Sequence, residues 1–145
     1  MTTFLRRVAA LRPTDRSLLR QAFLSLVRVR FALWLVPWRR LAASIDSPEI
    51  VAPARPGVDR LEWAIRAASQ FVPRATCLTR AVALHRLLSS HGYESVVQIG
   101  VSTADGRFDA HAWVEHDGTL LLSTSNDVAR YSRFFTWPQP RPDLP

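Results

Sequence analysis

The chain contains no lysine and only one cysteine, Cys77, in 145 residues. A lone cysteine excludes an intrachain disulfide framework, and no CxxC pair or His/Cys cluster has the spacing of a structural zinc site. The expected setting is a reducing one, the cytoplasm. A Gly-rich phosphate loop of the G-x-x-x-x-G-K-[ST] type is also missing, so no nucleotide site and no cofactor are expected. No long apolar run with a small-residue cleavage site follows Met1 to Leu11, which argues against a signal peptide. The most apolar stretch, Gln21 to Val36, is broken by Arg28 and Arg30 and is shorter than a spanning helix requires.

What the chain does have is arginine: all 19 basic residues are of this type, against 12 acids. The charge is uneven. Residues 1–40 carry nine arginines and one acid, Asp15, for +8, and the remaining 105 residues sum to −1. No basic face with interleaved stacking aromatics on a recognisable module accompanies them, so no nucleic-acid partner is expected. An amphipathic helix packed on the domain is the expected form of this segment, with an interfacial membrane helix as the alternative. At 48% hydrophobic residues the chain can bury one core. We expect a basic, aromatic helical segment over 1–50, a catalytic domain over 51–137 and a Pro-rich tail over 138–145.

Pro13-Thr14-Asp15 offers a start for a helix in which Leu19, Ala22, Phe23, Leu26 and Val27 recur at helical spacing, and Pro37 stops or kinks it. Phe31, Trp34 and Trp38 make its end aromatic and suited to covering a core. Ser47 to Gly57 reads as an irregular linker. Asp59 and Glu62 have the spacing of a capping box, ahead of Leu61, Ile65, Ala68 and Val72 on one face. After Pro73 the next helix is expected to begin at Thr76 as N-cap and to end near His91, with Gly92 as its C′ residue.

From Ser95 the period becomes two. Val96, Val97, Ile99 and Val101, then the run after Phe108, read as strands, and Asp117-Gly118 is a hairpin signal. Alternation puts Asp109, His111, Trp113 and Glu115 on one face and Phe108, Ala110, Ala112 and Val114 on the other. Helices followed by an antiparallel sheet make an α+β pattern.

Cys77 therefore stands at a helix start, where N–H groups and the positive end of the dipole favour a thiolate. A thiol nucleophile needs an imidazole to take its proton, a group to orient the imidazole and donors for the oxyanion. His111 is the imidazole candidate, and the N–H groups opening the Cys77 helix are the donors. For the orienting group, a three-residue hairpin loop puts Ser123 opposite His111 and a two-residue loop puts Thr124 there. Asn126, Asp127 and Asp109 are further candidates, and Asp127 is selected because a small bend at the strand end brings it to the ring. On spacing alone, an inert cysteine and a structural histidine remain the alternative. His85, His91 and His116 read as surface or capping residues.

The run Cys77-Leu78-Thr79-Arg80-Ala81-Val82-Ala83-Leu84, then Leu87-Leu88, Gly92, Ile99-Gly100-Val101 and Ala110-His111-Ala112-Trp113-Val114-Glu115 resemble the C-L-x-R-A-x-A-L and A-H-A-W-V-E pattern of the lasso peptide B2 proteins. These are transglutaminase-like leader peptidases. The core of the resemblance covers about Val58 to Asp127. It implies a papain/transglutaminase-like core, with the nucleophile at the N-terminus of a helix packed on an antiparallel sheet. It further implies a Cys-His-Asp triad and removal of a leader from a ribosomally made precursor. Cys77 matches the nucleophile and His111 the base. The family's acid lies near the end of the strand after the turn, where this chain reads Leu121-Leu122-Ser123-Thr124-Ser125. The partners implied are the precursor leader, a separate small leader-recognition protein of the B1 type and a macrolactam synthetase. Three readings remain at this point: a cysteine peptidase, a thioester-based acyl transferase, and a non-catalytic leader-binding adaptor.

Overall fold

A computed structural model describes residues 6, 7, 9–45 and 55–138. Pro13 opens the first long helix, α1 (Pro13–Leu35), at a position where its fixed φ suits the helix and its missing N–H costs nothing. The buried face is Leu18, Ala22, Leu26 and Val29. This is rotated from the expected stripe: Leu19 and Val27 flank the core, and Phe23 is 40% exposed. The reason is tertiary, because α1 packs on two helices at once and centres its face between them. Val36 is extended ahead of Pro37, as a pre-proline residue prefers, and α2 (Trp38–Ile45) follows. Trp38 makes edge contacts with Phe135 and Trp137, as an aromatic cover would. Phe31 and Trp34, expected to help it, face outward instead, Trp34 at 73% exposure.

The next helix, α3 (Val58–Ser69), is capped by Gly57 and not by Asp59. The expected capping box does not form, since Asp59 already lies inside the helix and Glu62 turns to other partners. Leu61, Ile65, Ala68 and Val72 are buried as their spacing requires. Residues 46–54, which include most of the expected linker, and residues 139–145 of the Pro-rich tail lie outside the described residues. The helix α4 (Cys77–Ser90) begins at the Thr76 cap and ends with His91 as C-cap. Gly92, at φ +79°, lets its own N–H reach Ser89 O and the Tyr93 N–H reach Leu88 O.

Four antiparallel strands form one sheet in the order β3-β2-β1-β4: β1 (Val96–Ser102), β2 (Asp109–His116), β3 (Thr119–Leu121) and β4 (Ser132–Trp137). Asp117 and Gly118, both at positive φ, make the two-residue β2–β3 turn. Val97, Ala112, Val114, Leu121 and Trp137 form the sheet's part of one core with α1, α3 and α4. The arrangement is α+β, helices on an antiparallel sheet. On the opposite sheet face, Trp113 is also fully buried.

Candidate active site

The site starts from a cap. Thr76 is extended, and its Oγ1 accepts the Thr79 N–H at 3.3 Å, so the helix opens with Cys77 as its first residue. The N–H groups of Cys77 and Leu78 come ahead of the capped one. Cys77 is half-buried at the edge of the core, and α4 packs on β2. Among the described residues its sulfur makes no hydrogen bond. One turn on, Arg80 carries a buried Nε that has no hydrogen-bond partner among them either.

His111 sits on β2 opposite Gly100 of β1. Its ring stacks beside Trp113, with centroids 6.1 Å apart, and beside Tyr131, at 5.4 Å. The Trp113 N–H donates to Glu115 Oε1 at 3.1 Å, and Arg133 donates to the same oxygen at 2.8 Å. Gln98, nearly fully buried, donates to Glu115 Oε2 at 3.4 Å and accepts from the Thr136 hydroxyl at 2.6 Å. The histidine is thus held against a cross-linked aromatic and polar surface. Alternation foretells that His111, Trp113 and Glu115 share a face; Tyr131 and Arg133 join them from a loop and a strand with no signal in the sequence.

The group in contact with the imidazole is Ser123, whose Oγ lies 3.1 Å from His111 Nε2. The hairpin loop has two residues, a length that by simple pairing sets Thr124, not Ser123, opposite His111. The shift comes from Leu122. It adopts φ +65°, a left-handed conformation costing about 1–3 kcal/mol for a side chain of this kind. Pairing stops at Leu121, alternation breaks, and Ser123 swings to the ring. The strained backbone is held by a distant group, since the Leu122 N–H donates to Glu62 Oε1 of α3 at 2.8 Å.

Asp127 lies in the short helix α5 (Ser125–Val128) and forms a capping box with Thr124. Its Oδ2 accepts the Thr124 hydroxyl at 2.6 Å and the Thr124 N–H at 3.2 Å. These bonds, the hydroxyl first, hold the carboxyl below its ordinary value, and His111 and Arg130 add through-space attraction. Asp109 accepts from the Tyr131 hydroxyl at 2.7 Å and lies 4.0 Å from Arg130. The structure therefore joins His111 to Ser123, and spends the bonds of Asp127 and Asp109 on Thr124 and Tyr131.

Of the histidines read as surface or capping residues, His91 is the C-cap of α4, though buried, and His85 is neither exposed nor a cap. His85 is 4% exposed, with Nδ1 2.8 Å from Ser95 Oγ and its ring on the edge of Trp137. His91 is 5% exposed and meets Gln21 Oε1 of α1 at 3.1 Å. His116 meets the Glu94 carbonyl at 2.5 Å beside the turn. In the basic segment, Arg16 is tied to the Leu11 and Ala9 carbonyls. Burial pushes the Arg86 guanidinium down, and the nearby Arg28 adds to the effect. No helix among the described residues is long and apolar enough to cross a membrane.

A family model described as transglutaminase-like superfamily matches residues 22–136. The comparisons with curated proteins and with solved structures each give no match.

Proposed function

The chain belongs to the transglutaminase-like superfamily, which includes cysteine peptidases and acyl transferases, and we propose that it is a cysteine peptidase removing the leader from a ribosomally made lasso precursor peptide. One observation carries the reading. The only cysteine opens a capped helix packed on the strand that bears Ala110-His111-Ala112-Trp113-Val114-Glu115.

In this reading the Cys77 thiol gives its proton to His111, and the sulfur attacks the carbonyl carbon at the leader–core junction. Ser123 occupies Nε2, which leaves Nδ1 to receive the proton. The Cys77 and Leu78 N–H groups stabilise the oxyanion. As the tetrahedral intermediate collapses, the imidazolium protonates the departing core amine and a thioester to the leader remains. His111 then takes a proton from water, which attacks the thioester and releases the leader acid and the thiol. Ser123 orients the ring directly. Asp127 acts on the ring only through space, by its attraction with His111, and makes its hydrogen bonds to Thr124. A free enzyme often lacks the short thiol–imidazole bond, which tightens around substrate.

The reaction is assigned to the cytoplasm, with a macrolactam synthetase acting on the released core. The leader arrives with a small B1-type recognition protein. Its docking surface is the outer face of α1, where Leu24, Phe31, Trp34 and Leu35 are exposed near Arg20 and Arg28. Arg20→Ala with Arg28→Ala tests this docking more cleanly than any change at Arg16, whose side chain serves its own chain.

The deciding experiment incubates the protein with a lasso precursor and the recognition protein and follows mass, beside Cys77→Ala. Leader release by the wild type alone supports the peptidase. Cysteine-dependent amine incorporation points to a transferase, and tight binding without turnover to an adaptor; either outcome overturns the proposal.

A further inference from the structure

The backbone turn that brings Ser123 to His111 depends on a carboxylate from another part of the fold. Glu62 is 60 residues away from Leu122 in sequence, yet its Oε1 accepts the Leu122 N–H at 2.8 Å. The carboxylate is well placed to hold that bond. Its side chain is 20% exposed, and Arg66, one turn later on α3, donates to the same oxygen through Nε at 3.1 Å and Nη2 at 2.8 Å. The position it holds is an unusual one. A leucine at φ +65° is disfavoured by its own side chain, and Leu122 lies immediately before the residue that touches the imidazole. A neutral amide donor on an ionised acceptor is stronger than an ordinary ladder bond, which suits it to hold a disfavoured turn.

We propose that Glu62 is a positioning residue for His111, acting through the Leu122 backbone and the Ser123 hydroxyl. This rests on reading His111 as the proton-transfer group, but its structural half stands apart from catalysis. Without the acceptor, Leu122 relaxes toward an extended conformation. Alternation then carries Ser123 away from the imidazole, and the ring loses the partner that sets which nitrogen carries the proton. Arg66, paired with the same oxygen, keeps Glu62 aimed.

The test compares wild type, Glu62→Gln, Glu62→Met and the double variant Glu62→Met with Leu122→Gly, all in the full chain. Methionine fills the same space without an acceptor, glutamine keeps an acceptor oxygen, and glycine accepts the left-handed backbone without help. Nitrogen and proton NMR of the His111 ring is the first readout, and kcat and KM for precursor cleavage the second. Glu62→Met is expected to shift the His111 ring resonances and lower kcat about tenfold with KM little changed, the order expected for losing one hydrogen bond to a charged group. Glu62→Gln and the double variant are expected to return both readouts toward wild type.

Ring resonances in folded Glu62→Met that coincide with wild type overturn the proposal, as does a kcat loss that neither glutamine nor glycine repairs. If Glu62→Met does not fold, Glu62→Ala takes its place, since it also removes the acceptor: a His111 ring that shifts and that Glu62→Gln leaves unshifted supports the link, and a ring that coincides with wild type sinks it. The NMR readout needs no substrate. A wild type that cleaves no precursor therefore defeats the peptidase reading and leaves the Glu62 link to be judged on its own.

Discussion

The indole of Trp113 lies 2.9 Å from the point where a side chain at Gly100 would begin. Tyr131 Cβ approaches the same point to 2.7 Å from another direction. The two rings that pack on His111 are thus close because position 100 carries no side chain. Gly100→Ala forces at least one of them to move, and overpacking of this kind costs about 1–3 kcal/mol. Chemical denaturation is expected to show that loss, with a changed near-UV signal from the displaced indole. Wild-type stability with an unchanged near-UV spectrum would show that the rings yield freely.

Ser123 gives His111 a neutral partner at a position where a carboxylate would give a charged one. A hydrogen bond to a charged group exceeds a neutral one by roughly 1 kcal/mol, or about fivefold to tenfold in rate if it acts at the transition state. Ser123→Asp is expected to speed precursor cleavage by that factor, and Ser123→Ala to slow it by a similar one. Asp127→Asn should slow the wild type but have little effect in the Ser123→Asp background, where the nearer carboxylate already supports the ring. Equal slowing in both backgrounds would mean that Asp127 acts independently of Ser123.

Acidification tests the Asp127 capping box. Its carboxyl titrates below the ordinary value of 3.8 when folded, chiefly because it accepts from the Thr124 hydroxyl. The unfolded chain therefore binds the proton first. The stabilisation is complete above that ordinary value and disappears as pH falls through the lowered one. Between about pH 6 and about pH 2.5 the wild-type Tm is expected to fall more than that of Asp127→Asn, which has no charge to lose. Parallel Tm curves for the two proteins would refute this.

Leu26 of α1 is fully buried beside residues of α3 and α4. Leu26→Ala is expected to cost about 2–5 kcal/mol and to lower the stability of the whole chain in a single transition. Two separable transitions, with the second matching wild type, would mean that α1 folds independently of the rest.

Much of the fold was legible because its signals are local. Thr76 and Gly92 bound α4, since a cap and a left-handed C′ residue act within one helical turn. Asp117-Gly118 marks its hairpin for the same reason. The strand β4 was not legible: Ser132 to Trp137 does not alternate cleanly, its pairing with β1 shifts register between Ile99 and Gly100, and its partner is over thirty residues away. His85 and His91 look polar in sequence, yet each finds a hydrogen-bond partner that makes burial tolerable. The Asp59–Glu62 spacing suggested a cap, but Gly57 began the helix earlier and released Glu62 for a longer-range task.

By itself the sequence determined the α+β class, the helix that Cys77 opens and the strand face that carries His111, because periodicity and caps are short-range properties of the chain. Only the tertiary structure decided which group touches the imidazole. The sequence left Ser123 and Thr124 open, according to the length of the hairpin loop, and the choice of an acid near the strand end pointed to Asp127. The contact went to Ser123 because a carboxylate on α3 captures the Leu122 amide and stabilises a backbone turn that leucine does not favour on its own.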